Sequence, residues 1–333
     1  MSTTVAILGA GVAGASAARA LGDRGMAVRV YDKGRAPGGR ANTRMRDSAH
    51  FDHGAQYFTA RDPAFSAAVQ ALRARGIVQP WQPRLVAIDG AGVHEVASRE
   101  ERWVAQPGMA ALAAALLEGI DLRCSQRVVG CSRDARGWWL ELADGRCDGP
   151  FAGLLCTLPA TQAVDLLQAE PVASTAAEIR FAPCWALMLA FDQSLDLDFD
   201  AAFVNAGALS WIARDSSKPG RPAGERWLVH AGAEFSRAHF EASAEEVAPR
   251  MLQSFFETTG ATPVAPAGMS AHRWRYALAD APLHIGALAD DAHRIALGGD
   301  WCCGSRIEGA WLSGQALAKH ALAWIDAPDT ANC

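Results

Sequence analysis

A short apolar run, a glycine-rich turn, a helix-forming stretch and a second apolar run follow one another at the start of the chain. The first run covers residues 5–8, and the turn after it carries Gly9, Gly11 and Gly14 in the spacing G-x-G-x-x-G. An alanine-rich stretch leads to about Arg24, and residues 27–31 form the second run, which ends at Asp32. Short apolar runs bounded by glycine are typical of buried parallel strands. The order therefore predicts a βαβ unit and an α/β fold.

The glycines and the acid of this unit suit a bound dinucleotide. Gly9 allows the tight turn, Gly11 lets a pyrophosphate approach the backbone, and Gly14 lets the helix pack closely on the strand. The N-terminus of the helix presents unpaired N–H groups and a partial positive charge to the phosphates. Asp32 lies where an acceptor for the adenosine ribose hydroxyls is expected. The alternative is a coincidental glycine turn, which the complete strand, turn, helix, strand and acid order disfavours.

A second glycine pair follows Asp32 in "KGRAPGGRANTR". Gly38 and Gly39 permit another close backbone approach, and Arg40 can pair with a pyrophosphate or lie beside a flavin. Taken alone, the pair could be a flexible loop. With the unit before it, the segment resembles the R-x-G-G-R segment of the flavin amine oxidase superfamily, in which the acid and the double glycine both touch FAD. The resemblance thus favours FAD over NAD as the bound cofactor. We also predict cofactor contacts for Ala13, Lys33, Gln56 and Val128.

Length, charge and cysteine content limit the classes of protein that fit. The chain has 333 residues, of which 50% are hydrophobic, enough for two cores. Its net charge of −5 has no long run of one sign, so we expect neither a nucleic-acid nor a membrane partner. The apolar stretches are shorter than the roughly twenty residues that span a bilayer. The 8 cysteines include no C-x-x-C pair, and we expect a soluble cytoplasmic protein without disulfides.

The middle of the chain predicts a second domain. Asp62 and Pro63 mark the start of a helix that ends at Gly76, with Phe65, Val69 and Leu72 on its buried face. Two Asp-Gly turns predict antiparallel hairpins in "LVAIDGAGVHEV" and "GWWLELADGRC". We expect strands in "CWALMLAF" and "RWLVHAG", and an exposed turn-rich loop at residues 214–225.

Candidate substrate-site residues come from two segments of the chain. In "SAHFDHGAQYF" we reject a metal site for His50, Asp52 and His53, because no fourth ligand pattern lies nearby. Gln56 and Tyr57 are candidates for the wall of a substrate cavity, with core packing as the alternative. In "SAHRWRYALAD" the side chains alternate as on a strand. Arg273 could pair with phosphates, and Trp274 and Tyr276 could stack on a planar ring, unless this is a half-buried strand with solvated arginines.

Two adjacent cysteines, Cys302 and Cys303, stand near the end of the chain in "GGDWCCGSRIEGAWLSGQALA". A thiol site is disfavoured, because adjacent cysteines form only a strained disulfide and no resolving C-x-x-C is present. We expect both to be small apolar fillers beside a flavin ring. The segment predicts a last parallel strand that delivers Asp300, followed by a helix that begins near Glu308 or Gly309.

This C-terminal segment also resembles the flavin amine oxidase superfamily. The resemblance implies that Asp300 bonds the ribityl or phosphate region, and that the helix at Glu308 and Gly309 points its N-terminus at the N1–C2=O edge of the flavin. That edge becomes negative on reduction, and the helix dipole would stabilise it. "LLCTLPA" at residues 154–160 resembles the strand with which such proteins return to the nucleotide domain. We therefore predict an FAD-binding domain from residues 1–60, 116–169 and 276–333, and an α+β substrate domain with an antiparallel sheet from 61–115 and 170–275.

Several segments together resemble one branch of that superfamily, the bacterial renalases. They are "GGRANTR", "DHGAQYFTARDPAF", "RWVAQPGM", "AHRWRYA" and "GGDWCCGSRIEGAWLSG", which run from end to end of the chain. The resemblance implies a Rossmann-like fold of the p-hydroxybenzoate-hydroxylase type and noncovalent FAD. It implies oxidation of the 2-dihydro and 6-dihydro isomers of NAD(P)H by hydride transfer to flavin N5, giving NAD(P)+ and, with oxygen, hydrogen peroxide.

Two alternatives remain open from the sequence. One is an amine oxidase or desaturase of the same superfamily, although none of Lys33, Lys218 and Lys319 matches the lysine that many amine oxidases place near flavin N5. The other is a noncatalytic FAD-binding protein. The chain carries one nucleotide fingerprint, so any nicotinamide would bind in the substrate cavity.

Overall fold

A computed structural model describes residues 3–46, 49–97 and 100–326. The strands are β1 (Val5–Leu8), β2 (Val28–Tyr31), β3 (Arg44–Arg46), β4 (Ala49–Phe51), β5 (Val78–Trp81), β6 (Leu85–Asp89), β7 (Gly92–Glu95), β8 (Arg102–Ala105), β9 (Asp121–Arg123), β10 (Val128–Asp134), β11 (Gly137–Leu142), β12 (Cys147–Phe151), β13 (Gly153–Cys156), β14 (Phe181–Phe191), β15 (Ala201–Val204), β16 (Leu209–Arg214), β17 (Glu225–Ala231), β18 (Gly268–Ala279), β19 (Leu288–Asp290) and β20 (Ile295–Leu297). The helices are α1 (Val12–Gly22), α2 (Pro63–Ala74), α3 (Ala110–Leu116), α4 (Ala160–Leu167), α5 (Val172–Ala176), α6 (Ala233–Ala238), α7 (Ala244–Thr259), α8 (Asp300–Cys303) and α9 (Ile307–Asp326).

A six-stranded sheet carries the predicted nucleotide unit. Its order is β19-β20-β13-β1-β2-β9, and all neighbours are parallel except β19 and β20. Every residue of β1 is buried, as expected for a strand covered on both faces. The predicted return strand is confirmed, since β13 pairs with β1, and so is the last parallel strand, since β20 pairs with β13.

Helix α1 lies against the C-terminal helix α9. The hydroxyl of Ser16 donates to the carbonyl of Trp311 at 2.9 Å, and a Cβ on Gly314 would lie 2.3 Å from the carbonyl of Ala13. The two helices therefore pack with their backbones close together. Helix α1 ends at Gly22, slightly before the predicted end, and α9 begins at Ile307, one residue before the predicted start.

A seven-stranded sheet forms the second layer of the molecule. Its order is β18-β14-β17-β16-β15-β6-β7, with antiparallel neighbours except for the parallel pair β6 and β15. One face carries Trp185, Leu187 and Val229 and is buried with Met251 and Phe255 of α7 in a single apolar core. The other face is turned toward the parallel sheet and leaves a cavity between them.

Local signals in the middle of the chain are confirmed. Asp62 precedes α2 and accepts from the N–H groups of Ala64 and Phe65 at 2.8 and 3.1 Å. Phe65, Val69 and Leu72 are buried, as predicted for one face of this helix. The Asp-Gly hairpins are present as β6 with β7 and as β11 with β12.

The expectation of an exposed loop at residues 214–225 is wrong for its central part. The side chains of Asp215, Lys218 and Arg221 are buried. They can be buried because their charges meet one another and a fourth charge, that of Asp52, at hydrogen-bonding distance.

The predicted fold class is confirmed: a Rossmann-like parallel sheet with helices is combined with a largely antiparallel sheet. The predicted domain ranges stay predictions, and they include residues 1–2, 47–48, 98–99 and 327–333, which lie outside the described residues. Within the part of the chain that the structure describes, no helix is both long and apolar enough to cross a membrane.

Candidate functional site

A central cavity of about 1450 Å³ lies between the carboxyl ends of the parallel strands and the open face of the seven-stranded sheet. It brings together all the predicted substrate-site residues, namely Gln56, Tyr57, Arg273, Trp274 and Tyr276. It also collects most of the predicted cofactor residues, namely Gly9, Gly11, Ala13, Asp32, Lys33, Gly39, Arg40, Val128, Asp300 and Glu308. The predicted cofactor residues Gly14 and Gly309 are not among the lining residues.

Two glycine segments touch at one end of the cavity. A Cβ on Gly14 would lie 1.9 Å from the carbonyl oxygen of Gly9, so the start of α1 packs against the turn only with glycine there. Gly11 and Gly38 form an isolated parallel bridge, and the N–H of Gly38 donates to the carbonyl of Ala10 at 2.9 Å. The first glycine turn and the second glycine pair therefore form one continuous backbone surface in front of α1.

Asp32 closes this surface at the end of β2. One carboxylate oxygen accepts from the N–H of Ala10 at 2.7 Å, and the other accepts from the N–H of Gly34 at 2.6 Å. A carboxylate oxygen can accept more than one hydrogen bond. Asp32 thus fixes the turn and keeps acceptor capacity toward the cavity that it lines.

Arg40 and Asp300 pair across the cavity wall. Nη2 of Arg40 lies 2.6 Å from Oδ1 of Asp300, and Nη1 lies 3.0 Å from Oδ2. Nη1 also donates to the carbonyl of Ala277 at 3.0 Å, which ties the pair to β18. Bidentate pairs of this kind fix the orientation of both groups.

Glu308 connects α9 to the start of α2. Its Oε1 accepts from the N–H groups of Arg61 and Asp62 at 2.6 and 2.7 Å. The neighbouring Gly309 lies against the carbonyl of Gly304, where a Cβ would approach to 2.1 Å. The N-terminus of α9 is therefore held in a fixed position beside the cavity.

Gln56 is held by a buried network. Its amide Nε2 donates to the carbonyls of Asp52 and Gly54, the latter at 3.1 Å. Its Oε1 accepts from Nζ of Lys218 at 3.2 Å. The amide is therefore fixed in one orientation at the cavity wall.

Behind Gln56 lie four buried charges that sequence reasoning missed. Nζ of Lys218 is 2.6 Å from Asp215 and 3.3 Å from Asp52, and Nη2 of Arg221 is 2.5 Å from Asp52. Burial opposes ionisation of Asp52, yet the two cations hold its pKa below its usual value. For Asp215 burial prevails and raises the pKa. Asp52 is far in the chain from the other three charges, and all four lie in polar segments. No local sequence pattern therefore predicts that they are buried together.

The open face of the seven-stranded sheet forms one wall of the cavity. His272 of β18 pairs with Ala186 of β14, Ala186 with His230 of β17, and His230 with Trp211 of β16. Directly opposed residues of neighbouring strands lie on the same face. We call these four residues the cross-strand row; the small side chain of Ala186 leaves space between the two histidines.

Trp274, on the same face, holds His53 against this row. The rings of His53 and Trp274 are stacked with centroids 4.8 Å apart, and Nε1 of Trp274 donates to the carbonyl of His53 at 2.8 Å. His272 meets His53 edge-on at 4.8 Å. Burial lowers the pKa of His53 to about 3 and that of His230 and His272 to about 4, so all three rings are neutral at pH 7.

The other predicted substrate-site residues have different surroundings. The guanidinium of Arg273 lies over Trp185 and donates to the carbonyl of Phe240, on the face of β18 opposite to Trp274. Tyr276 packs edge-on against Phe181 at 5.8 Å. Tyr57 packs against Trp211 at 5.5 Å.

Cys302 and Cys303 do not have the environment of a reactive thiol. Cys302 is fully buried in an apolar core with Leu297 and Trp301, and burial raises its pKa. Burial also raises the pKa of Cys303. Both therefore stay protonated near pH 7, as apolar fillers would.

Two family models match the chain, one at its N-terminal end and one over the rest. Residues 7–72 match the model of an NAD(P)-binding Rossmann-like domain. Residues 94–322, more than half of the chain, match the model of the flavin containing amine oxidoreductases.

Solved structures share the fold over nearly the whole chain. A protein from Exiguobacterium sp. 255-15, provisionally assigned as a protoporphyrinogen oxidase, has a TM-score of 0.77 at 13% identity, covering 98% of this chain and 100% of that one. Cyclohexylamine oxidase from Brevibacterium oxydans IH-35A has a TM-score of 0.76 at 13% identity, covering 98% and 100%. Wild-type putrescine oxidase bound to putrescine has a TM-score of 0.73 at 15% identity, covering 97% and 99%. At such identities the similarity concerns the fold.

The family match over residues 94–322 shows the family. The chain belongs to the flavin containing amine oxidoreductase family and is a flavin-dependent oxidoreductase.

Proposed function

We propose that this protein is an FAD-dependent oxidase of the 2-dihydro and 6-dihydro isomers of NAD(P)H, as in the renalase branch of the family. The products are NAD(P)+ and, with oxygen as the electron acceptor, hydrogen peroxide. The proposal requires a site for FAD and, beside it, room and charge for a second, anionic dinucleotide.

The residues present fit FAD. Gly11 lies where a side chain would fill the approach to the backbone in front of α1, and Asp32 and Arg40 line the same cavity. A pyrophosphate would be held by the N–H groups at the start of α1, and ribose hydroxyls by Asp32. The cavity volume of about 1450 Å³ exceeds the roughly 300–1,000 Å³ of a site for one small ligand, so there is room for a substrate as well.

The charge of the cavity is the observation that carries the choice of substrate. Basic residues outnumber acidic ones in its lining by eight to five even without Arg273, whose guanidinium lies on the opposite face of β18, although the net charge of the chain is −5. Five of the basic side chains have no ion-pair partner among the described residues: Lys33, Arg35, Arg44, Arg127 and Arg306. A cationic amine would be repelled by this surplus, whereas the pyrophosphates of FAD and of a second dinucleotide would be attracted.

Bound FAD supplies the acceptor for a hydride and passes the electrons on to oxygen. The chain itself has to orient the dihydronicotinamide, because hydride transfer from it depends on stacking and alignment more than on an acid or base. The cross-strand row with Trp274 offers an aromatic wall for this purpose, and its neutral histidines add no charge to oppose formation of the cationic nicotinamide ring.

We further propose that FAD is bound noncovalently. Cys184 lines the cavity, and burial raises the pKa of its thiol to about 12, so the sulfur stays protonated and weakly nucleophilic near pH 7. Acid precipitation of the purified protein should leave the flavin in the supernatant. Flavin that stays with the precipitate would contradict noncovalent binding.

Amine oxidation is the second candidate, and membership of the amine oxidoreductase family favours it. A donor screen under anaerobic conditions separates the candidates: the flavin absorbance is followed after addition of dihydronicotinamide isomers, putrescine or cyclohexylamine. Bleaching by an amine faster than by every dihydronicotinamide would replace the proposed function with amine oxidation. If no donor bleaches the flavin faster than a photoreduction control, a noncatalytic FAD-binding role follows.

A further inference from the structure

Two buried polar atoms in the wall of the cavity have no hydrogen-bond partner within the described residues. They are Nε1 of Trp211 and Nδ1 of His53. Trp211 is 6% exposed and His53 is 5% exposed, and both residues line the cavity. An unmatched buried donor or acceptor costs about 1–3 kcal/mol, so such atoms are usually matched by a ligand or an ordered water.

Both residues adjoin His230. Trp211 and His230 are direct partners across β16 and β17, and Nε2 of His230 lies 3.3 Å from the carbonyl oxygen of His53. Tyr57 packs on Trp211, and Trp274 stacks on His53. The two unmatched atoms therefore belong to one aromatic region of the wall.

Their hydrogen-bonding capacities differ. The indole N–H of Trp211 is a donor only. Burial, with the nearby charge of Arg44 and the ring of His272, lowers the pKa of His53, so its imidazole is neutral and offers one acceptor nitrogen. In the tautomer that carries the proton on Nε2, this acceptor is Nδ1.

We propose that Trp211 and His53 form a subsite for a primary carboxamide carried by a planar ring of the substrate. Trp211 donates to the carbonyl oxygen of the amide, and His53 accepts from its NH₂ group. The inference rests on the proposed function, because the nicotinamide ring carries such a group. An ammonium group would leave the indole N–H without an acceptor, and a carboxylate would leave His53 without a donor.

The test compares two oxidised dinucleotides that differ only in this group. NAD+ carries the carboxamide, and nicotinic acid adenine dinucleotide carries a carboxylate. Their dissociation constants are measured on the purified holoprotein from changes in the flavin absorbance. We expect NAD+ to bind at least about tenfold more tightly, the effect of matching two buried polar atoms.

Trp211→Phe removes the donor and keeps an aromatic ring. It should weaken the binding of NAD+ by about tenfold and reduce the preference over the carboxylate. Trp139→Phe, on β11 and outside the cavity, is the matched control and should leave both constants unchanged.

Equal binding of the two dinucleotides by the wild type, or no binding of either, overturns the carboxamide subsite without any variant. A retained preference in folded Trp211→Phe overturns the role of Trp211. The proposed function is judged separately, by the rate at which wild-type flavin is reduced by the 2-dihydro and 6-dihydro isomers. Rapid reduction together with equal binding would reject the subsite alone.

Discussion

The guanidinium of Arg40 and the carboxylate of Asp300 form two hydrogen bonds, of 2.6 and 3.0 Å, between segments 260 residues apart in the chain. Arg40 follows the second glycine pair, and Asp300 begins α8 after the last parallel strand. The pair therefore joins the first and last parts of the predicted FAD site, and both side chains line the cavity.

Replacing Arg40 by lysine should weaken FAD binding. Lysine keeps the charge but cannot form the two parallel hydrogen bonds to Asp300, so both groups lose their fixed orientation. We expect the dissociation constant of FAD to rise by about tenfold, with a smaller flavin to protein ratio after purification. Arg136→Lys, on the exposed turn after β10, is the control. An unchanged FAD content in Arg40→Lys would show that the pair has no part in holding the cofactor.

Alanine at Gly11 should weaken FAD binding, whereas alanine at Gly14 should destabilise the fold. A Cβ at Gly11 comes no nearer than 3.9 Å to its closest neighbour, Cα of Gly39, whereas a Cβ at Gly14 lies 1.9 Å from a backbone oxygen. Gly11→Ala should keep the free energy of unfolding of the apoprotein within about 0.5 kcal/mol and yet bind FAD at least about tenfold more weakly. Gly14→Ala should lower the unfolding free energy by about 1–3 kcal/mol. Urea unfolding and FAD titration measure both effects; normal FAD affinity in Gly11→Ala would place the pyrophosphate elsewhere.

Burial of His230 should make stability depend on pH in the acid range. Burial lowers its pKa to about 4, below the usual value of 6.5, so between these values the unfolded chain binds a proton that the folded protein does not. The contribution of the neutral His230 to the free energy of unfolding is therefore fully present above about pH 6.5, and it is lost as the pH falls toward about 4. The loss amounts to about 1.4 kcal/mol per pH unit for one such histidine.

Urea unfolding of His230→Gln between pH 7.5 and pH 5 checks this dependence. The variant should show a shallower fall of the unfolding free energy than the wild type. His94→Gln, at an exposed position of β7, should follow the wild type. Parallel pH profiles for wild type and His230→Gln would mean that folding does not lower the pKa of His230.

Removal of the thiol of Cys303 should leave flavin reduction unchanged. Burial raises the pKa of the thiols of Cys302 and Cys303, so neither is a thiolate near pH 7. Cys303→Ala should reduce its flavin at a rate within about twofold of wild type, measured by stopped-flow absorbance with the same donor. A loss of reduction in a folded, FAD-loaded variant would restore a catalytic role for the cysteine pair.

The nucleotide-binding part of the fold could be predicted because its signals are local. The glycine turn, helix α1 and Asp32 follow one another within one unit, and Gly14 is required there by its close approach to the carbonyl oxygen of Gly9. The capping of α2 by Asp62 is local in the same sense.

The substrate side of the cavity could be predicted only in part. Trp274 could be assigned from the alternation of β18, but the positions of His230 and Trp211 on the same face depend on the register of four strands, which the sequence does not reveal. The buried charges of Lys218 and Asp52 lie in polar segments 166 residues apart. Such segments resemble exposed loops until their partners are known.

The rate of flavin reduction by the isomers of dihydroNAD tests the proposed function most directly. FAD-loaded protein is mixed anaerobically with the 2-dihydro, 6-dihydro or ordinary 4-dihydro isomer, and the flavin absorbance is followed in a stopped-flow instrument. The account predicts rapid bleaching by the 2-dihydro and 6-dihydro isomers and much slower bleaching by the 4-dihydro isomer. Bleaching by the first two isomers that is no faster than by 4-dihydroNADH would contradict it.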